Sequence, residues 1–280
     1  MTSDADSTSR SARTATSPSP DAGDSPSGCA AGLSISALRD ALFLDVDGTL
    51  LQIARHPEAV HVSADLLAAL EQARDRFGGA LALISGRTID DLDLLFAPLR
   101  LPCAGVHGLE RRDADAAVHR GDAAAALAPL RAPLEDFVAR HDGLLLEDKG
   151  QSLALHYRNA PSCGGAAEDL LRRLLAVAGP TLELKPGKMV LEVTPGHADK
   201  GTAIAAFMQE PPFAGRRPVF LGDDVTDEDG FAVVNRLGGV SVRVGAPDRP
   251  TAARHHVADE AAVLDCLRRW AEEAGGGAAR

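Results

Sequence analysis

The 280-residue sequence has no run approaching the roughly 18 uncharged apolar residues that mark a membrane helix. Its first residues contain no apolar signal-peptide core. Positive charge is also scarce, because 29 Lys and Arg stand against 40 Asp and Glu, which gives a net charge of −11. These absences argue against a membrane protein and against a general binder of nucleic acids or membrane surfaces. We therefore expect a cytoplasmic protein in which local positive groups hold any anionic ligand.

Several common catalytic and metal-binding motifs are missing. The four cysteines have no CxxC spacing, which disfavours a zinc ribbon or a redox pair. The P-loop, nucleophile-elbow, zinc-protease and dinucleotide-binding motifs are absent as well. Lysine is scarce, with four against 25 arginines. All four lie in the stretches with chemical signals described below, which fits sites where a guanidinium cannot replace an ammonium: Lys149, Lys185, Lys188 and Lys200.

Unbroken apolar runs predict the core of the fold. They cover residues 41–46, 79–85, 218–222 and 239–244, and a lack of alternation is typical of parallel strands buried on both faces. Helical patterns lie between them, so we predict an α/β fold with a doubly wound parallel sheet. Ligands of such sheets bind beyond the carboxyl ends of the strands. Residues 1–37 have almost no large apolar side chains and are predicted to be a disordered tail.

The middle of the chain repeats a helix followed by a β-hairpin. A helix over about residues 133–141 precedes strands near 144–147 and 153–157, and a second helix over about 165–178 precedes strands near 181–184 and 189–193. We expect this αββαββ unit to form a separate antiparallel layer at residues 112–193. The catalytic core would then comprise residues 38–111 and 194–280.

Acidic residues follow two of the predicted strands. Asp45 and Asp47 end the first strand, where buried carboxylates are costly unless a cation or a reaction requires them, although a turn or capping role remains an alternative. Residues 223–229 contain five acids after the third apolar run. A calcium loop of the EF-hand type is excluded because its twelfth position is Val234. A solvated acidic loop is the other reading, but two acidic strand ends in one crevice favour a magnesium site.

Two further residues complete the predicted site. Ser85, in the segment Ser85-Gly86-Arg87, follows the second strand and opens a helix, where a hydroxyl and free N–H groups suit a phosphate. Lys200 begins a helix just after the inserted unit, a position that the helix dipole disfavours. A purely structural role is therefore the poorer explanation for this lysine.

The order of these motifs resembles the haloacid dehalogenase (HAD) superfamily of phosphohydrolases. Further segments, near His107, His156, Lys188 and the acidic run, are similar to the trehalose-6-phosphate phosphatase family. The resemblance covers residues 41–245. It implies a HAD-like core with an αββαββ cap, a Mg²⁺ cofactor, a sugar-phosphate substrate and a functional pairing with a trehalose-phosphate synthase.

The resemblance also implies a role for each matched residue. Asp45 would attack phosphorus and form an aspartyl-phosphate, Asp47 would act as acid and base, and Ser85 and Lys200 would neutralise the phosphoryl group. Mg²⁺ would be held by Asp45, the main-chain carbonyl of Asp47, and Asp223. Asp224 and Asp227 would orient Lys200 or metal-bound water. The expected substrate-binding residues are Gly48, Thr49, Gly86, Arg87, His107, Glu110, Lys149, His156, Arg158, Lys188 and Glu192.

Strand parity supports part of this set. We expect Lys188 and Glu192, four residues apart, to share one face of a strand, as His156 and Arg158 would. For His156 and Glu147, an exposed position on a strand without function remains an alternative. The core chemistry does not separate trehalose 6-phosphate from sucrose phosphate or a glycosyl-phosphoglycerate. An inactive sugar-phosphate-binding module is disfavoured because every expected catalytic position is intact.

Overall fold

The computed structural model describes residues 33–52, 61–121, 123–196 and 198–272. The strands are β1 (Asp40–Leu44), β2 (Leu81–Ile84), β3 (Cys103–Gly105), β4 (Glu110–Arg112), β5 (Val118–Arg120), β6 (Leu145–Asp148), β7 (Leu153–His156), β8 (Leu182–Gly187), β9 (Val190–Pro195), β10 (Arg217–Gly222), β11 (Val240–Val244) and β12 (His255–Val257). The helices are α1 (Ala64–Arg76), α2 (Ile89–Leu95), α3 (Ala124–Val138), α4 (Gly164–Ala178), α5 (Lys200–Phe207), α6 (Glu228–Arg236) and α7 (Glu260–Glu272). Within these ranges, none of the helices combines the length and apolar character needed to cross a bilayer.

The larger sheet has the strand order β12-β11-β10-β1-β2-β3-β4-β5, and its first six strands are parallel. Strand β1 is buried along its whole length because it has helices on both sides. Leu42 and Leu44 pack in one cluster with residues of α1 and α7. Phe43 points to the other face and packs with residues of α5 and α6. The predicted doubly wound α/β core is therefore confirmed.

The smaller sheet has the order β6-β7-β9-β8 and is antiparallel throughout. Its own apolar cluster joins residues of α3 and α4 to the strands. This is the predicted αββαββ layer, inserted between β5 and α5. Helix α3 begins nine residues before the predicted start, and both Pro129 and Pro133 lie inside it. Burial of Leu127, Leu130 and Leu134 on one face favours the helix despite the hydrogen bonds that the prolines lose.

Two predicted boundaries require correction. Strands β4 and β5 form an antiparallel hairpin that extends the larger sheet beyond β3, so the segment from 112 to 120 lies with the core and not with the inserted layer. The predicted tail ends too late, because Leu33 and Ile35 are buried in the core cluster. The rest of the predicted tail, residues 1–32, lies outside the described residues.

Candidate active site

The carboxyl ends of β1 and β10 bring the main acidic residues together. These strands are parallel neighbours with Leu44 opposite Leu221, so the residues that follow them meet at one edge of the sheet. Asp45, Asp223 and Asp227 each place a carboxylate oxygen within 4.8 Å of the others. Gly48 has φ of 91°, and a Cβ there would lie 2.2 Å from Oδ2 of Asp223, so any other residue would be strained and would displace the Asp223 carboxylate.

Lys200 is the buried cation of this cluster. It occupies the first turn of α5, where Asp199 caps the helix by accepting from the Thr202 amide. Its Nζ donates to Oδ1 of Asp45 and to Oδ1 of Asp227, both at 2.6 Å. Burial acts to lower the pKa of Lys200, but the carboxylates of Asp227 and Asp45 raise it by more than burial lowers it. The pKa of Lys200 therefore lies above its ordinary value. The lysine therefore stays protonated, and the two carboxylates offset its unfavourable place in the helix dipole.

Asp45 and Asp223 are harder to ionise than free carboxylic acids. Burial raises the pKa of Asp45 well above its usual range, and the negative charge of Asp227 adds to this. Burial and the charges of Asp227 and Asp224 raise the pKa of Asp223 to about 7. A bound cation would favour the ionised carboxylates, as excess negative charge in a buried site requires.

The oxygens that remain free fit a hard divalent cation. Oδ1 of Asp223 is buried and has no hydrogen-bond partner among the described residues. Oδ1 of Asp45 accepts from Lys200, which leaves one lone pair on this oxygen and the second oxygen of the carboxylate. In Asp227 both oxygens are engaged, because Oδ2 accepts from the amides of Asp223 and Asp224 at 2.9 and 2.8 Å. The carboxylates of Asp45 and Asp223 are thus the better-placed ligands for such an ion.

A second group of predicted residues gathers after β2. The carboxylate of Asp47 accepts two hydrogen bonds from Arg87, with Nε at 2.7 Å and Nη2 at 2.6 Å. This hydrogen bonding raises the pKa of Arg87. Ser85 is 1% exposed, and its Oγ accepts from the Arg87 amide at 3.1 Å. The buried Oγ1 of Thr49 has no described partner. Arg87 therefore fixes the orientation of the Asp47 carboxylate.

The inserted layer contacts the core through a polar group that we call the Glu192 cluster: Gly86, His107, Lys149, Ser152 and Glu192. Oε1 of Glu192 accepts from Ser152 at 2.7 Å and from Lys149 at 3.3 Å, and its Oε2 lies 3.2 Å from Nε2 of His107. Lys149 also donates to the carbonyl of Gly86 at 2.9 Å. Thus Lys149 and Glu192 of the inserted layer lie beside the segment that contains Ser85 and Arg87.

The backbone at Val106 and His107 has an unfavourable conformation that places the His107 ring beside Glu192. Val106 and His107 have φ of 48° and 54°, a region that costs about 1–3 kcal/mol for residues with a side chain. The His107 ring packs so closely on Gly86 that a Cβ there would lie 2.7 Å from it. The short turn after β3 therefore directs the imidazole of His107 toward Glu192.

The other predicted binding residues lie elsewhere. Glu110 is buried and accepts from the Ile89 amide and from Arg120, so its carboxylate supports the start of α2. His156 pairs with Glu147 at 2.8 Å on the inserted sheet. The hydrogen bond from His156 lowers the pKa of Glu147, although burial opposes it.

Strand parity fails for the remaining pairs. Lys188 and Met189 form the turn between β8 and β9, because Gly187 pairs with Val190. Lys188 therefore lies outside the strand that carries Glu192, and the predicted shared face is wrong. Arg158 lies beyond the end of β7, and its Nη2 is 3.5 Å from the carbonyl of Lys188.

The sequence prediction for Asp224 and Asp227 separates into two cases. Asp227 contacts Lys200 directly, as expected of an orienting residue. Asp224 instead pairs with Arg249 at 3.3 Å. Arg249 was not predicted, because it lies in a loop without periodicity or a motif. Ser152 was missed too, although its place beside Lys149 in a hairpin turn offered a weak signal.

Comparison with known proteins agrees with this geometry. The sequence model of the trehalose-phosphatase family matches residues 43–261. The trehalose-6-phosphate phosphatase of Escherichia coli (strain K12) is 50% identical over 206 residues, which are 73% of this chain and 77% of that protein.

Two solved structures share the fold. The C-terminal domain of trehalose-6-phosphate phosphatase from C. albicans has a TM-score of 0.72 at 24% identity, covering 83% of this chain and 92% of that one. A phosphatase of the haloalkanoate (HAD) enzyme superfamily from Bacteroides thetaiotaomicron has a TM-score of 0.58 at 18% identity, covering 85% and 98%. By the extent of the family match and the identity to its relative, the chain belongs to the trehalose-phosphatase family of phosphoric monoester hydrolases.

Proposed function

We propose that this chain hydrolyses trehalose 6-phosphate to trehalose and inorganic phosphate, with Mg²⁺ as its cofactor. One observation carries the proposal: Asp45 lies buried at the end of β1, held by Lys200 and adjacent to Asp223, in a chain of this family. Phosphate monoesters hydrolyse so slowly in water that accelerations of up to about 10²¹ are needed. A buried cluster with a fixed lysine and a free carboxylate oxygen supplies what such a reaction requires.

The side chains suggest a division of the chemistry. Oδ1 of Asp45 accepts from Lys200 and keeps a lone pair for the cation, so the second oxygen of Asp45 would attack phosphorus and form an aspartyl-phosphate. In its protonated form Asp47 would give its proton to the leaving sugar oxygen, and the carboxylate formed, oriented by Arg87, would later accept the proton of the attacking water. Ser85 would donate a hydrogen bond to the phosphoryl oxygens. Bound at Asp45, Asp223 and the carbonyl of Asp47, Mg²⁺ would supply neutralisation of the phosphoryl charge.

The inserted layer is proposed to recognise the sugar. Lys149 and Glu192 lie against Gly86 and His107, next to the residues proposed to hold the phosphate. The hydroxyl groups of a disaccharide need hydrogen-bond donors and acceptors beside the phosphate site, and Lys149 and Glu192 would supply them there. His156, Arg158 and Lys188 lie on the same layer and are proposed to act farther along the sugar.

The proposal extends to the setting of the enzyme. A sugar phosphate with two negative charges does not cross a bilayer unaided, so the enzyme would act in the cytoplasm, where such a substrate is made. A synthase that joins a glucosyl unit to a sugar phosphate would supply the substrate. We propose a functional pairing with such a trehalose-phosphate synthase.

A panel of sugar phosphates tests this function. Phosphate release would be measured with Mg²⁺ for trehalose 6-phosphate, sucrose phosphate and a glycosyl-phosphoglycerate. We expect kcat/KM for trehalose 6-phosphate to exceed the others by at least about tenfold, which corresponds to about 1.4 kcal/mol of transition-state binding. Asp45→Asn, which keeps the volume and removes the nucleophile, should release phosphate at least about 10³-fold more slowly. A variant within tenfold of wild type, or a preference for another sugar, would contradict the proposal.

A further inference from the structure

The acidic turn after β10 is held from two sides. On the inner side, Asp227 accepts from the amides of Asp223 and Asp224. On the outer side, Nη2 of Arg249 donates to the carbonyl oxygen of Asp223 at 2.7 Å, and Nη1 donates to Oδ1 of Asp224 at 3.3 Å. The guanidinium of Arg249 therefore binds the main chain of Asp223 and the side chain of Asp224.

The loop that carries Arg249 is itself fixed. Its later part is tied to α6 by the amide of Ala252, which donates to Glu228 at 2.7 Å. Its earlier part is tied to β11 by Arg243, whose Nη2 donates to Asp248 at 3.1 Å. The side chain of Arg249 is 29% exposed, and its Nε is buried. Hydrogen bonds on both sides of Arg249 thus hold its loop in place beside the acidic turn.

We propose that Arg249 is a positioning residue that sets the affinity of the site for its divalent cation. The inference rests on the metal site of the proposed function. Arg249 binds the peptide carbonyl of Asp223 and so fixes the direction in which the Asp223 carboxylate leaves the main chain. The guanidinium presents a separate nitrogen to each acceptor, whereas a lysine would have to bring a single nitrogen within reach of both. Groups that orient a ligand in this way typically change metal affinity by about 10–100-fold.

Electrostatics alone predicts the opposite sign. Arg249 is a positive charge close to a proposed cation site, so removing it should strengthen cation binding if charge repulsion is its only effect. Loss of positioning should weaken binding instead. The direction of the change therefore separates the two explanations.

The experiment measures Mn²⁺ binding directly, because Mn²⁺ accepts the same oxygen ligands and its free aqueous ion is visible by electron paramagnetic resonance. Wild type, Arg249→Gln, Arg249→Lys and Arg254→Gln would be titrated at one pH and ionic strength. Arg254, an exposed residue of the same loop, is the matched control because its substitution removes the same charge. We expect Kd for Mn²⁺ to rise about tenfold in Arg249→Gln, less in Arg249→Lys, and within twofold in Arg254→Gln.

A second readout is the Mg²⁺ dependence of phosphate release. Arg249→Gln should need about tenfold more Mg²⁺ for half-maximal rate and recover most of its kcat at saturating Mg²⁺, since Arg249 is proposed to act through Asp223 and not on the substrate. Unchanged or tighter Mn²⁺ binding by a folded Arg249→Gln or Arg249→Lys variant would overturn the inference. Absence of Mn²⁺ binding by wild type would instead overturn the metal site of the proposed function.

Discussion

At the scale of single residues, Lys200 decides whether the buried acids can coexist. It is 3% exposed and contacts two carboxylates, Asp45 and Asp227, while Asp223 lies beside them. Removing one partner from a buried ion pair commonly costs about 3–5 kcal/mol, because the other charge stays buried without compensation. The proposed chemistry therefore places three acids around one lysine, an excess of carboxyl groups that stability alone would not favour.

This excess predicts opposite effects of two substitutions on stability. Lys200→Met should lower the free energy of unfolding by about 3–5 kcal/mol in the absence of divalent cations. Asp45→Asn should leave it unchanged or raise it, because burial and the charge of Asp227 disfavour the ionised Asp45. Urea denaturation at pH 7 measures both, with the exposed Lys188→Met as control, for which we expect a change within about 0.5 kcal/mol. A stable Lys200→Met would show that the acids share protons and do not need the lysine.

At the scale of elements, the sequence predicts the strands that are buried on both faces of the larger sheet. Strands β1, β2 and β10 are predictable because their residues beyond the first position are apolar without alternation, as is typical of central parallel strands, whereas in β11 Ser241 and Arg243 alternate with three valines. The three-residue strands β4 and β5 were missed because so short a segment has no periodicity, and β5 is exposed throughout. The boundary of the inserted layer was misplaced for this reason.

In the candidate site too, residues at strand ends are predictable from the sequence, and contacts made by loops are not. Acids at strand ends are predictable because parallel strands share an edge, so Asp45 and Asp223 were placed correctly in one crevice. Which acid of the turn faces Lys200 depends on a 3₁₀ turn at residues 225–227 that leaves no pattern. Lys188 and Glu192 were misjudged because the turn at Met189, with φ of 65°, interrupts the alternation of the strand. Contacts that depend on loops were thus beyond sequence reasoning.

The first described residues give a second prediction at this scale. Ile35 is 6% exposed in the core cluster, whereas Leu38 nearby is 78% exposed. Ile35→Ala should lower the free energy of unfolding by about 2 kcal/mol, the lower end for a buried isoleucine. Leu38→Ala should change it by less than about 0.5 kcal/mol. Urea denaturation compares the two, and equal effects would return residues 33–37 to the predicted tail.

At the scale of the whole molecule, the two layers meet in polar contacts. The Glu192 cluster joins the inserted layer to the core, and Lys185 of β8 donates to the carbonyl of Ala198 in the segment that leads to α5. Burial acts to raise the pKa of Glu192, but the hydrogen bond with His107 and the charge of Lys149 outweigh it. The pKa of Glu192 therefore lies well below its usual range, and this carboxylate is ionised at neutral pH.

The sign of this shift makes the contact between the layers sensitive to acid. A carboxyl group whose pKa is lower in the folded state stabilises the fold above its unfolded pKa, here 4.5, and loses this contribution as pH falls toward the folded value. Glu192→Gln should thus be less stable than wild type at pH 7 by about 1–3 kcal/mol, the cost of losing a charged hydrogen-bond partner. The difference should shrink as pH falls below about 4.5. Urea denaturation across this range measures it, with Glu168→Gln, whose side chain is 44% exposed, as a control that should show a small difference. A gap between wild type and Glu192→Gln that stays constant with pH would mean that Glu192 contributes packing and not charge, so acid would not weaken the contact between the inserted layer and the core.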